Sequence, residues 1–156
     1  MVEPVQEQNA VFNIEKIYIK DVSYEAPSVP LAFSQSQDTS TEIGMQLGLE
    51  HSSLSAEQGL FEVVLTITAT AKQETKNIFL VELKQAGIFR LRGIDNDRLQ
   101  RALEVTCANV LLPFAREAVN DFVEKGGFPP LLINPINFDA LYEQKKSARA
   151  SQAGAN

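Results

Sequence analysis

The chain has 156 residues and a formal net charge of −6, with 44% hydrophobic and 22% charged residues. Those figures fit one globular domain with its own core, and an acidic balance argues against general affinity for nucleic acid. No run reaches the ~20 apolar residues of a membrane span, and one cysteine with one histidine (Cys107, His51) excludes an internal disulfide and a Cys- or His-built zinc cluster.

The opening MVEPVQEQNA lacks the basic and apolar segments of a secretory signal. With the lone cysteine, this points to a cytoplasmic setting. Residues 1–10 are expected to be a flexible N-terminus. From Phe12 to Glu25 the chain is rich in Ile, Tyr and Val and reads as a strand. Its apolar set changes phase between Ile14 and Ile17, which predicts a bulge there. Pro27 and Pro30 end the strand and begin a crossover.

Ile43, Met45, Leu47 and Leu49 alternate with polar or glycine positions, the period-2 mark of a half-buried strand. His51 follows in LEHSSLSAEQG, a polar connection in which a solvated histidine is expected. Phe61–Ala71 and Asn77–Phe89 are two further strands joined by KQETKN, a segment suited to a hairpin. Four antiparallel strands result.

Asp95–Lys125 reads as a helix capped by Asp95 or Asn96, with Pro113 kinking or splitting it. Gly126 and Gly127 can close it through a positive φ. Phe128–Ile136 is an apolar loop with three prolines, and Asn137 can cap a last helix from Phe138. Beyond Gln144 the segment KKSARASQAGAN is small and polar and is expected as a flexible tail, from about residue 147 at the latest. Residues 11–142 then form the folded domain, and 143–156 the tail.

Charge follows this division. Residues 1–89 hold 5 basic and 12 acidic groups, a balance of −7; residues 90–156 hold 9 basic and 8 acidic, a balance of +1. No glycine pattern resembles a phosphate loop, and Cys107 lies on the apolar stripe of the helix, where a buried small hydrophobe is expected. A carboxylate-based hydrolase has no positive support, because no nucleophile–histidine constellation accompanies the acids.

Three features can carry binding. Asp21 and Glu25 fall on one side of the first strand. In the fourth, Leu80, Glu82 and Lys84 share a side opposite Phe79, Val81, Leu83 and Gln85, so an acidic face with an exposed leucine is expected. It can dock a basic partner or simply solvate the sheet. The helix is apolar around much of its circumference (Leu99, Ala102, Leu103, Val105, Cys107, Val110, Leu111, Leu112), implying a second buried contact, most simply between subunits. The loop GGFPPLLINPINF can line a groove for extended apolar polypeptide or staple the last helix to the core.

IYIKDVSYEAP, FEVVLTITATA, VELKQAGIF and CANVLLPFAREAVNDFVEKGGFPPLLINPINFDALY closely resemble the SecB family of bacterial export chaperones, over Val11–Tyr142. The resemblance implies an α+β fold: a four-stranded antiparallel sheet packed against a long, proline-interrupted helix and a shorter C-terminal helix. It implies a homotetramer built as a dimer of dimers, with neither catalysis nor cofactor, that binds unfolded precursor proteins and passes them to the SecA ATPase. By position, the SecA face would be Asp21, Glu25, Leu80 and Glu82. The assembly-tuning positions would be Val81, Leu83 and Gln85. Client grooves would draw on Phe33, Ile43, Met45, Leu47, Phe128, Leu131 and Tyr142. The 51–59 loop departs from the family pattern, and the tail is basic where some members end acidic. A related chaperone serving another client, such as a toxin–antitoxin pair, is the alternative.

Overall fold

A computed structural model describes residues 9–34 and 40–154. The predicted strands all form, each longer than its sequence signal: β1 Val11–Glu25, β2 Glu42–Ser55, β3 Leu60–Gln73 and β4 Lys76–Arg92. They make one antiparallel sheet in the order β1-β4-β3-β2. A short helix, α1 (Leu31–Ser34), interrupts the crossover and carries Phe33. Most of residues 1–10, the expected flexible N-terminus, lie outside the described residues.

The register of β1 on β4 shifts twice, between Ile14 and Lys16 as its apolar phase required, and again between Ile19 and Asp21. Both skipped residues are charged and ion-paired at the surface. Glu15 accepts from Arg90 at 2.7 Å, and Lys20 donates to Glu62 of β3 at 2.7 Å, across the intervening β4. The Tyr18 hydroxyl donates to the same Glu62. Burial and this carboxylate push the Tyr18 phenol up to about 12, while the hydrogen bonds from Lys20 and Tyr18 hold the Glu62 carboxyl below its usual range. The second shift leaves Asp21 to Glu25 in regular register with Lys84 to Leu80.

One face of the sheet is covered. Leu65, Ile67 and Ala69 of β3, with Val81, Leu83 and Phe89 of β4, are fully buried. They meet Leu103, Cys107, Leu111, Ala115, Val119 and Val123 of the helical layer. That layer is α2 (Asn96–Arg101), a π-helical segment (Ala102–Thr106) and α3 (Cys107–Lys125), following one another without a gap. Asp95 caps the start, its carboxylate accepting from the Arg98 N–H at 2.9 Å.

The helix is not split at Pro113. That residue lies inside α3, and the departure from α-helical bonding comes earlier, at Ala102–Thr106. The apolar excess predicted for the helix is also mostly absorbed within the chain: Leu103, Val105, Cys107, Leu111 and Leu112 are all buried. The π segment widens the turn and the 128–136 loop folds back on α3, so more of its circumference is covered than one sheet would manage. Phe114 stays exposed on α3, and the other uncovered large apolar groups lie on β1 (Phe12, Ile14, Ile19), in α1 (Leu31, Phe33), on β2 (Ile43, Met45, Leu54), at Leu132 of the loop and at Leu141 of the last helix.

At the end of α3, Gly126 allows a close approach: a Cβ there would overlap the Tyr24 hydroxyl. Gly127 takes the positive φ of 88°. The last helix, α4, runs Phe138–Ala153, well beyond Gln144. Asn137 caps it by accepting from the Ala140 N–H at 3.0 Å. Its second half is rich in Gln, Lys, Ala and Arg with no breaker before Gly154, so local propensity favours continuing the helix although only Phe138 is buried. Among the described residues no helix is long and apolar enough to cross a membrane.

Candidate docking and client-binding surfaces

Strand alternation divides the candidate residues between the two sides of the sheet. On the open side, Asp21, Ser23 and Glu25 of β1 stand beside Lys84, Glu82 and Leu80 of β4, followed by Thr66, Thr68 and Thr70 of β3. Asp21, Glu25 and Glu82 are exposed and Leu80 is half-buried. None of these three carboxylates has an ion-pair partner among the described residues, and the threonines flanking them are uncharged. The result is a patch of three unpaired carboxylates, offset only in part by Lys84, with one leucine inside it. Val81, Leu83 and Gln85 point the other way and are 0%, 0% and 3% exposed. The Gln85 amide donates to the Tyr18 carbonyl at 3.1 Å, tying β4 to β1 beside the second bulge.

The seven groove candidates fall into two centres joined by a strand. Phe128 packs between Phe33 and Phe79 with tilted rings, centroids 5.3 and 5.2 Å apart. From there the helix-facing side chains of β2 lead away in steps of two: Ile43, Met45, Leu47, Leu49 and His51. Ile43 and Met45 are 44% and 42% exposed, so this margin of the inner face is not covered by the helices. The line ends at a cavity of about 130 Å³ between β2 and α4, lined in part by Leu47, Leu49, Phe138, Leu141 and Tyr142. At about 3.4 Å per residue, Ile43 to His51 spans roughly 27 Å, room for some eight extended residues.

Leu131 belongs to the loop. Its N–H donates to Asn120 Oδ1 at 2.9 Å, and Arg116 Nε donates to the Ile133 carbonyl at 2.9 Å. The loop therefore staples to α3 through buried Ile133 while leaving Leu132 81% exposed, and both of its anticipated roles have a structural basis.

His51 is not on a solvated loop. β2 continues to Ser55, so the ring is half-buried under the helices, its Nε2 4.0 Å from Glu104 Oε1. Glu104 lies in the π segment and is 6% exposed, with Arg149 of α4 at 3.9 Å. The sequence held one signal for it, a lone charge inside the apolar run ALEVTC. Arg101 pairs with Asp139 and Glu143 and lies 6.0 Å over the Tyr142 ring, fastening α4 to α2. Cys107 is buried as expected, and burial pushes its thiol up to about 12.

The family model described as preprotein translocase subunit SecB matches residues 5–149. The chain belongs to the SecB family. Relatives named protein-export protein SecB include one from Methylobacillus flagellatus, 44% identical over 96% of this chain and 93% of the relative. Another, from Nitrosococcus oceani, is 47% identical over 96% and 90%. A third, from Chromobacterium violaceum, is 46% identical over 96% and 97%. The fold is shared with a solved SecB-like chaperone of Mycobacterium tuberculosis, in complex with a peptide from an antitoxin. The TM-score is 0.66 at 16% identity, covering 80% of this chain and 90% of that one. This SecB-family chain is thus an α+β chaperone of protein export.

Proposed function

We propose that the chain holds precursor proteins unfolded in the cytoplasm and delivers them to SecA, working without catalysis or cofactor as a homotetramer of two dimers. The observation that carries this reading is the division of one sheet: an uncovered apolar strip on its helix side and an unpaired acidic patch on its open side. Client segments lie along β2, from the Phe33–Phe128 cluster and Leu131 through Ile43, Met45 and Leu47 to Tyr142. Burying a large apolar side chain is worth about 1.5–3 kcal/mol, so several together hold a chain without reading its sequence. Asp21, Glu25, Leu80 and Glu82 dock SecA, where carboxylates that outnumber the one lysine beside them steer a basic partner and the leucine supplies an apolar anchor. Val81, Leu83 and Gln85 act on assembly indirectly, by setting the packing of the sheet on its helices.

The test combines three measurements on the full chain. An unfolded precursor should be kept from aggregating at stoichiometric amounts, and light scattering should give a tetramer that persists when the precursor is bound. SecA should co-purify with the wild type. Failure to suppress aggregation overturns the client reading; retention of clients without SecA binding favours a chaperone serving another system.

A further inference from the structure

We infer that Glu104 is a cation-selective subsite at the α4 end of the client strip, held in the free chain by Arg149 and taken over by a basic side chain of the bound polypeptide. This rests on the client-binding reading above and adds to it a charge preference at one place.

The side chain of Glu104 is more than nine-tenths buried, and its Oε2 has no hydrogen-bond donor among the described residues. Its Oε1 faces His51 Nε2 at 4.0 Å and an Arg149 guanidinium nitrogen at 3.9 Å, both beyond hydrogen-bonding length. A carboxylate removed from water and left short of donors is costly. A donor that reaches it therefore gains more than it would at the surface. The cavity beside it is walled by Leu47, Leu49, Leu141 and Tyr142, so it combines apolar sides with one buried negative group. That chemistry fits the apolar stem and charged tip of arginine or lysine.

The charged groups around this cavity explain why the subsite is held rather than open. Lys145 also lines it, and Arg149 stands over the carboxylate, both carried by a helix with a single buried residue. Arg149 is 67% exposed, so it gives up little when another cation displaces it. His51, on β2, approaches the same oxygen as Arg149 but from a different element.

Two labelled unstructured apolar peptides, identical except for arginine or citrulline at one central position, test the inference by fluorescence anisotropy. Citrulline keeps the shape and removes the charge. The wild type should bind the arginine peptide about tenfold more tightly, the order expected of one charge-assisted hydrogen bond. Glu104→Gln should bring that ratio to about one. Arg149→Ala should strengthen the arginine peptide and leave the citrulline peptide unchanged. A photoreactive group next to the arginine should crosslink wild type at Leu141 or Tyr142, which decides the matter even if Glu104→Gln fails to fold. Equal binding of both peptides, or an undiminished ratio in Glu104→Gln, overturns the subsite alone. A Glu104→Gln variant that changes only the mass of the assembly reassigns the carboxylate to a contact between copies. If neither peptide binds, the client reading falls and the subsite with it.

Discussion

β4 presents two unlike faces a single side chain apart. Val81 and Leu83 are fully buried beneath the helices, while Leu80 and Glu82 look out beside Glu25 and Ser23. A strand that serves a core and a docking surface at once can do so because successive side chains never share a side. A change on one face therefore reaches the other only through the backbone. The same logic fails at β2, whose helix-facing side chains begin exposed at Ile43 and end half-buried at His51. There the cover on a single face grows along its length.

The sharpest way to break the comparison is to truncate the buried face. Leu83→Ala should cost about 2–5 kcal/mol in denaturant unfolding, whereas Glu82→Ala should stay within about 0.5 kcal/mol. Equal costs would mean that the two faces are not mechanically separate. Next in size, Gly126→Ala should destabilise by about 1–3 kcal/mol, because the new methyl meets the Tyr24 hydroxyl. Tyr24→Phe should recover only part of that loss, because the ring Cζ would still lie 2.6 Å from the new methyl; alone it should be neutral or stabilising, since the hydroxyl is buried without a hydrogen-bond partner among the described residues. Chemical denaturation of the four-member cycle checks this. Glu82→Lys should weaken SecA binding about tenfold or more while leaving peptide affinity unchanged, measured on the same preparation. Loss of both together would refute the division of labour.

The smallest expected effect concerns acid. The Glu62 carboxyl is held below its usual range by Lys20 and Tyr18. Its contribution to stability is complete above the unfolded carboxylate value of about 4.3 and is lost as pH falls through the folded value. Glu62→Gln should lower the melting temperature at pH 7, with a difference that closes in acid. A difference that stayed constant with pH would remove the ionic cause.

The strands, the helix caps at Asp95 and Asn137 and the division of β4 were legible because each depends on local periodicity or on one side chain meeting its own backbone. The first bulge was legible for the same reason, as a break in the phase of Ile14 and Ile17. The second leaves the same kind of mark, Ile17 and Ile19 giving way to Val22 and Tyr24, although only the first was read from it. The π segment left no mark, because ALEVT carries ordinary helix formers and the insertion shows only in three dimensions. The position of His51 was misjudged because Ser52 and Ser53 resemble a loop, and it is pairing with Glu62 and Phe61 that keeps them in the strand. Glu104, Arg149 and His51 come from three separate elements, so no spacing could have joined them. The acidic patch stands between these cases, its residues legible by alternation and its lack of ion pairs visible only once the neighbours were in place.

The extra-wide turn at Ala102–Thr106 acts as a phase shifter. One residue more or less in a helix rotates everything before it by about 100° relative to everything after. Excising a single position here would leave Cys107 to Lys125 seated on the sheet and swing Arg101 away from Asp139 and Glu143, unbuckling α4 from outside the cavity it helps to wall.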